Sequence, residues 1–121
     1  MIRFRYIVND VDQAVAFYTS HLGFRLERQF GPALAILQRE EFHLLVAGPK
    51  ASASRPMPDG AKPAPGGWNR IVISVEDLAD IVTKLRAEGV KFRNEIVVGP
   101  GGSQILCEDP SGNPIELFQP A

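Results

Sequence analysis

The sequence predicts an α+β fold built from two tandem βαβββ modules, and three observations carry that prediction. Val8-Asn9-Asp10-Val11 returns as Val75-Glu76-Asp77-Leu78, so a structural unit is repeated along the chain. Each copy follows a run in which apolar residues alternate with others, the period of a half-buried strand, and precedes an apolar stripe at helical spacing. Each helical stretch ends at a glycine, Gly23 or Gly89, where a helix terminus favours a left-handed residue, and shorter strand-like runs follow.

In the first module Ile2, Phe4, Tyr6 and Val8 share one face of a strand. Asp10 then caps a helix, because a short carboxylate accepts from first-turn amides that lack a partner within the helix. Val11, Ala14, Val15, Tyr18 and Leu22 form its apolar stripe, and His21 near its end complements the helix dipole. Residues 24–30, 34–38 and 42–47 read as three strands. The second module repeats the order, with Ile71, Ile73 and Val75 on its first strand and Asp77 as the cap. Leu78, Ile81, Val82 and Leu85 form its stripe, and residues 90–97, 104–108 and 115–118 its remaining strands. Residues 48–67 hold five prolines and four glycines and read as a connector. It is either a spacer or an ordered loop that lays Met57 or the adjoining Trp68 over a pocket. The run Gly99-Pro100-Gly101-Gly102 precedes a strand and lacks the lysine of a phosphate-binding loop, so it reads as a turn, as do residues 109–113.

At 121 residues the chain is expected to be one domain, with modules at 1–47 and 68–121 around the connector. Thirteen Lys and Arg against fourteen Asp and Glu leave a net charge of −1, which argues against nucleic acid and against anionic membranes as partners. The opening MIRFRYIVND alternates arginine with apolar residues, unlike a signal peptide or a membrane span, so a soluble cytoplasmic protein is expected. Cys107 is the single cysteine. It permits neither an internal disulfide nor a CxxC pair, and it reads as a small core residue of a strand.

VNDVDQAVAFY after the first strand, EDPSGNPIELFQP near the end, and a helix closing on EGV resemble the vicinal oxygen chelate superfamily, which includes glyoxalases, bleomycin-resistance proteins and extradiol dioxygenases. The resemblance spans almost the whole chain. It implies that the modules form a half-open barrel or cup that holds a small-molecule ligand and is often completed in a homodimer. Enzymes of the superfamily hold a divalent metal with side chains from the first and last strand of each module. Carried over residue by residue, the first-strand positions fall seven residues before each helix-capping aspartate, on Arg3 and Arg70, and the last-strand positions on His43 and Glu116. A guanidinium has no free lone pair and stays protonated, so two of the four donors are gone. The expectation is therefore a protein without a metal or other cofactor, in which Arg3 and Arg70 supply the positive charge instead.

Strand alternation places Arg3, Arg5 and Ile7 on the face away from Phe4, Tyr6 and Val8, and Arg70, Val72 and Ser74 on the matching face of the second module. Glu116, Phe118, His43 and Leu45 join them if their neighbours pack under the helices. The candidate ligand-binding set is thus Arg3, Arg5, Arg70, His43, Trp68, Glu116 and Phe118, for an anionic or aromatic compound. Each has a structural alternative: the N-terminal arginines as a solvated strand edge, Glu116 as a partner for Arg70 or Arg3, His43 as a hydrogen-bonded strand residue. Two functions follow. One is a metal-free binding protein of the drug-sequestering kind, conferring antibiotic resistance. The other is a lyase, isomerase or oxygenase with Glu116 and His43 as catalytic residues, with or without a divalent metal held by that pair.

Overall fold

A computed structural model describes all residues, 1–121, as two units, Met1–Gly66 and Gly67–Ala121. The first unit runs β1 (Phe4–Ile7), α1 (Val11–His21), β2 (Arg25–Phe30), β3 (Leu34–Arg39) and β4 (Phe42–Ala47). Its sheet has the order β1-β4-β3-β2, with β1 parallel to β4 and the other pairs antiparallel. The hairpins β2-β3 and β3-β4 are antiparallel because short turns join them, whereas β1 reaches its partner only after the chain has crossed through α1. Asp10 caps α1 as the sequence predicts, its Oδ1 accepting from Gln13 N at 2.9 Å, and Gly23 follows the helix at φ 72°.

The helix covers one face of the sheet, where Tyr6, Ala35, Leu37, Leu44 and Val46 are buried. Register puts Tyr6, Val46 and Ala35 in one row and Leu44 and Leu37 in the next, so alternation alone assembles this core. The helix stripe differs from expectation at one place. Phe17 is buried beside Val11, Ala14 and Tyr18, while Val15 is only half-buried. Phe17 lies three residues after Ala14, within reach of the same face, and its ring meets Tyr18 edge-on at 5.2 Å.

Strand β2 carries a bulge at Glu27: Leu26 pairs with Leu37, but Arg28 pairs with Ile36. Strict alternation would send Arg28 and Phe30 to the side of Leu26, under the helix. The extra residue turns them to the helix-free face and puts Gln29 on the helix side, where its Nε2 donates to Asp12 Oδ1 at 2.7 Å. The connector contains a single 3₁₀ turn, Ser52–Ser54, and leaves Met57 half-exposed.

The second unit runs β5 (Ile71–Ser74), α2 (Leu78–Ala87), β6 (Lys91–Phe92), β7 (Val97–Gly99), β8 (Gly102–Glu108) and β9 (Pro114–Pro120). Its sheet has the order β5-β9-β8-β6, with β7 also paired to β8, and β5 parallel to β9. Asp77 caps α2 through Asp80 N at 3.1 Å. The single strand expected over residues 90–97 is two short pieces. Arg93 N still donates to Leu106 O at 2.9 Å, but Leu106 N donates to the side-chain Oδ1 of Asn94 at 3.0 Å. A side chain has taken the place of a backbone carbonyl, so the chain leaves the ladder until Val97.

Residues 109–113 form the β8-β9 turn. Asp109 Oδ1 accepts from Ser111 N and Asn113 N, both at 2.9 Å, and its Oδ2 from Asn113 Nδ2 at 3.0 Å. Gly102 permits the close approach of β8 and β9, since a Cβ there would overlap Gln119 O. Ile71, Ile73, Ile105, Cys107, Ile115 and Leu117 form the helix-side core with Leu78, Val82 and Leu85. No helix in either unit is long and apolar enough to cross a membrane.

Candidate functional site

In the second unit the helix-free face of the sheet presents a row in which Val72, Glu116 and Leu106 stand side by side on β5, β9 and β8. Ile115 and Leu117 are fully committed to the core, so alternation forces Glu116 to the other face, and it is 8% exposed there. Arg70 sits just before β5. Its Nε and Nη2 both donate to Glu116 Oε1, at 3.1 and 2.8 Å, and its Nη1 donates to Trp68 O at 3.1 Å. The guanidinium is thereby fixed on three nitrogens and spans from the strand to the backbone that precedes it. Of the candidate residues, Arg70 and Glu116 are brought together by their side chains, and Trp68 joins them through its backbone carbonyl. Phe118, half-buried, stands in the next row between Ser74 and Gln104.

The first unit presents a similar face with a different charge. Arg5, Leu45, Ile36 and Arg28 form one row across its four strands, and His43, Gln38 and Arg25 another. Arg25 Nη2 donates to Gln38 Oε1 at 2.6 Å, and the Arg28 guanidinium lies 4.7 Å from the Phe30 ring centroid. His43 Nδ1 is 3.7 Å from Glu27 Oε2, too long for a hydrogen bond. Arg3 precedes β1 and is exposed. Sequence reasoning found Arg5 and His43 here but missed Arg25, Glu27 and Arg28. Arg28 reaches this face only through the bulge, which no alternation pattern announces.

A family model described as "Glyoxalase/Bleomycin resistance protein/Dioxygenase superfamily" matches residues 1–117. The chain belongs to this superfamily. A curated relative in Arabidopsis thaliana, named "Probable lactoylglutathione lyase, chloroplastic", is 27% identical over 128 residues, covering 98% of this chain and 35% of its own length. The chain therefore spans about a third of the length of the curated relative it matches. Among solved structures, lactoylglutathione lyase from Agrobacterium tumefaciens superimposes with a TM-score of 0.77 at 22% identity, covering 98% of this chain and 92% of that one. TnmS3, described as an antibiotic binding protein from Streptomyces sp. CB03234, gives 0.76 at 23% identity, covering 100% and 96%. The fosfomycin resistance protein FosX from Listeria monocytogenes gives 0.75 at 14%, covering 100% and 93%. At these identities the likeness is one of fold, the α+β fold the repeat predicts.

The superfamily resemblance directs attention to a divalent metal, and the donors of this member do not fit one. No group of three or more His, Cys, Asp or Glu side chains is gathered for an ion. In the second unit the first-strand position is a guanidinium, and one of the two oxygens of Glu116, Oε1, already accepts two of the guanidinium N–H groups. A cation approaching that carboxylate would sit beside the fixed charge of Arg70.

Proposed function

We propose that this superfamily member is a metal-free small-molecule-binding protein that holds an anionic or aromatic organic ligand, with sequestration of a toxic compound as one use of that capacity. The observation that carries this reading is the grip of Arg70 on Glu116: the position that lone-pair donors would need is filled by a permanent cation, and its carboxylate neighbour is neutralised. Arg5, Arg25 and Arg28 on the helix-free face of the first unit, against Glu27 alone, give that face a positive balance suited to an anion. The antibiotic-binding description of one fold neighbour is consistent with such a use of the scaffold. The same proposal places the protein in the cytoplasm as a homodimer, each chain one domain of two modules.

A second reading is enzymatic, with Glu116 and His43 as catalytic residues. The proximity of Glu27 to His43 favours it, because an imidazole and a carboxylate on one face are groups that proton transfer uses.

Isothermal titration with an aromatic sulfonate tests the first reading. Saturable binding is expected, and Arg70→Lys, which keeps the charge but loses the fork, should weaken it about tenfold with the melting temperature little changed. A variant that loses stability while binding as wild type makes Arg70 purely structural, and a stoichiometric divalent ion in the purified protein overturns the metal-free reading.

A further inference from the structure

Trp68 is the chain's one tryptophan and is 70% exposed. Leaving an indole in water forgoes about 2 kcal/mol of burial, so its placement needs a reason. The ring is not loose: the Arg93 guanidinium lies 4.9 Å from its centroid, and Arg93 is itself held on all sides. Its Nε donates to Glu108 Oε2 at 2.7 Å, Nη1 to Gly67 O at 2.8 Å and Nη2 to Gly112 O at 2.8 Å. These partners come from the segment before β5, from β8 and from the β8-β9 turn. Three of the five N–H groups of Arg93 are thereby spent on the protein, and they hold the guanidinium against one face of the indole. The remaining surface of the ring borders a hollow of about 560 Å³ that Lys91 also lines.

The charges there are simple. Arg93 and Glu108 cancel, and Lys91, exposed and in register with Glu108, leaves one positive charge at the rim. We propose that this hollow is a second small-molecule site, beyond the Arg70–Glu116 site, that stacks a planar aromatic carboxylate on Trp68 and holds its charge with Lys91. A preset aromatic platform costs a ligand little ordering entropy, and indole stacking with a single ammonium suits one flat ring system bearing one negative charge. A phosphate or other polyanion would need more positive charge than the single ammonium left over once Arg93 is paired with Glu108.

The single indole N–H resonance in proton–nitrogen correlation spectra reads this site directly. Titration with 2-naphthoate is expected to move that peak saturably, with 2-naphthylmethanol, the uncharged analogue, binding more weakly. Lys91→Glu should weaken 2-naphthoate about fivefold or more without shifting the melting temperature. The proposal fails if the peak does not move up to about 5 mM ligand, if Lys91→Glu binds 2-naphthoate as wild type does, or if the alcohol binds as well as the acid. It fails too if the peak shifts on dilution without ligand, which would mean that a second copy of the chain covers the ring.

Discussion

Arg70 and Glu116 illustrate how one residue's value depends on the other. Their side chains are 27% and 11% exposed, so the carboxylate is nearly out of water and the guanidinium is not. Arg70→Ala leaves that carboxylate unpaired, and we expect a loss of about 2–3 kcal/mol in urea unfolding, below the full cost of breaking a buried pair because Arg70 is partly solvated. Glu116→Gln keeps an acceptor for the same donors and should cost about 1 kcal/mol. The Arg70→Met, Glu116→Leu double variant should recover most of the loss, which the same unfolding curves will show. Cys107 gives a pH-dependent prediction. Burial pushes its thiol up from 9.0 to about 12. The folded state holds this proton more tightly than the unfolded chain, so the stability it contributes is complete below about pH 9 and is lost as pH rises toward about 12. Urea midpoints measured from pH 8 to 10.5 should fall less steeply in Cys107→Ala than in wild type. At this scale it was the superfamily resemblance, carried over onto the repeat, that singled out Arg70, and the alternative of Glu116 as its partner was visible as well. The sharing of one carboxylate oxygen by two guanidinium nitrogens was not, since it depends on where the chain enters β5.

Elements were legible where a single period governs them. Both helices, their aspartate caps and six of the strands follow from spacing, because burying one face of each is the dominant local demand. The failures occur where a side chain overrides the ladder. Asn94 replaces a backbone acceptor and splits one expected strand into β6 and β7, and the Glu27 bulge re-aims half of β2. Neither event alters composition or periodicity enough to be read in advance. The β8-β9 turn was legible in kind but not in strength. Asp109, buried, satisfies three nitrogen donors, so Asp109→Ala should cost about 2–4 kcal/mol, measurable as a lowered urea midpoint, because it removes the acceptor of the buried Asn113 amide and side chain and of the partly buried Ser111 amide.

For the whole molecule, the repeat and the DPSGN turn were sufficient to anticipate the superfamily, while the activity stayed beyond reach because this scaffold's chemistry lies in a few substitutions. The donor set leads to a global prediction. Treatment with EDTA followed by zinc or manganese should leave the melting temperature within about 1 °C, since a ligand that does not bind the folded state cannot stabilise it. The proline-rich connector has a practical consequence of its own. Of its three basic residues, Arg55 and Lys62 each precede a proline, and trypsin cleaves poorly where the following nitrogen belongs to a pyrrolidine ring. Lys50 is the one ordinary cleavage site, and the next residue, Ala51, is buried with its amide bonded to Gly48 O at 3.1 Å. Brief tryptic digestion followed by intact mass measurement should therefore find the two halves still joined: a segment that looks like an easy place to cut is, for this protease, nearly closed.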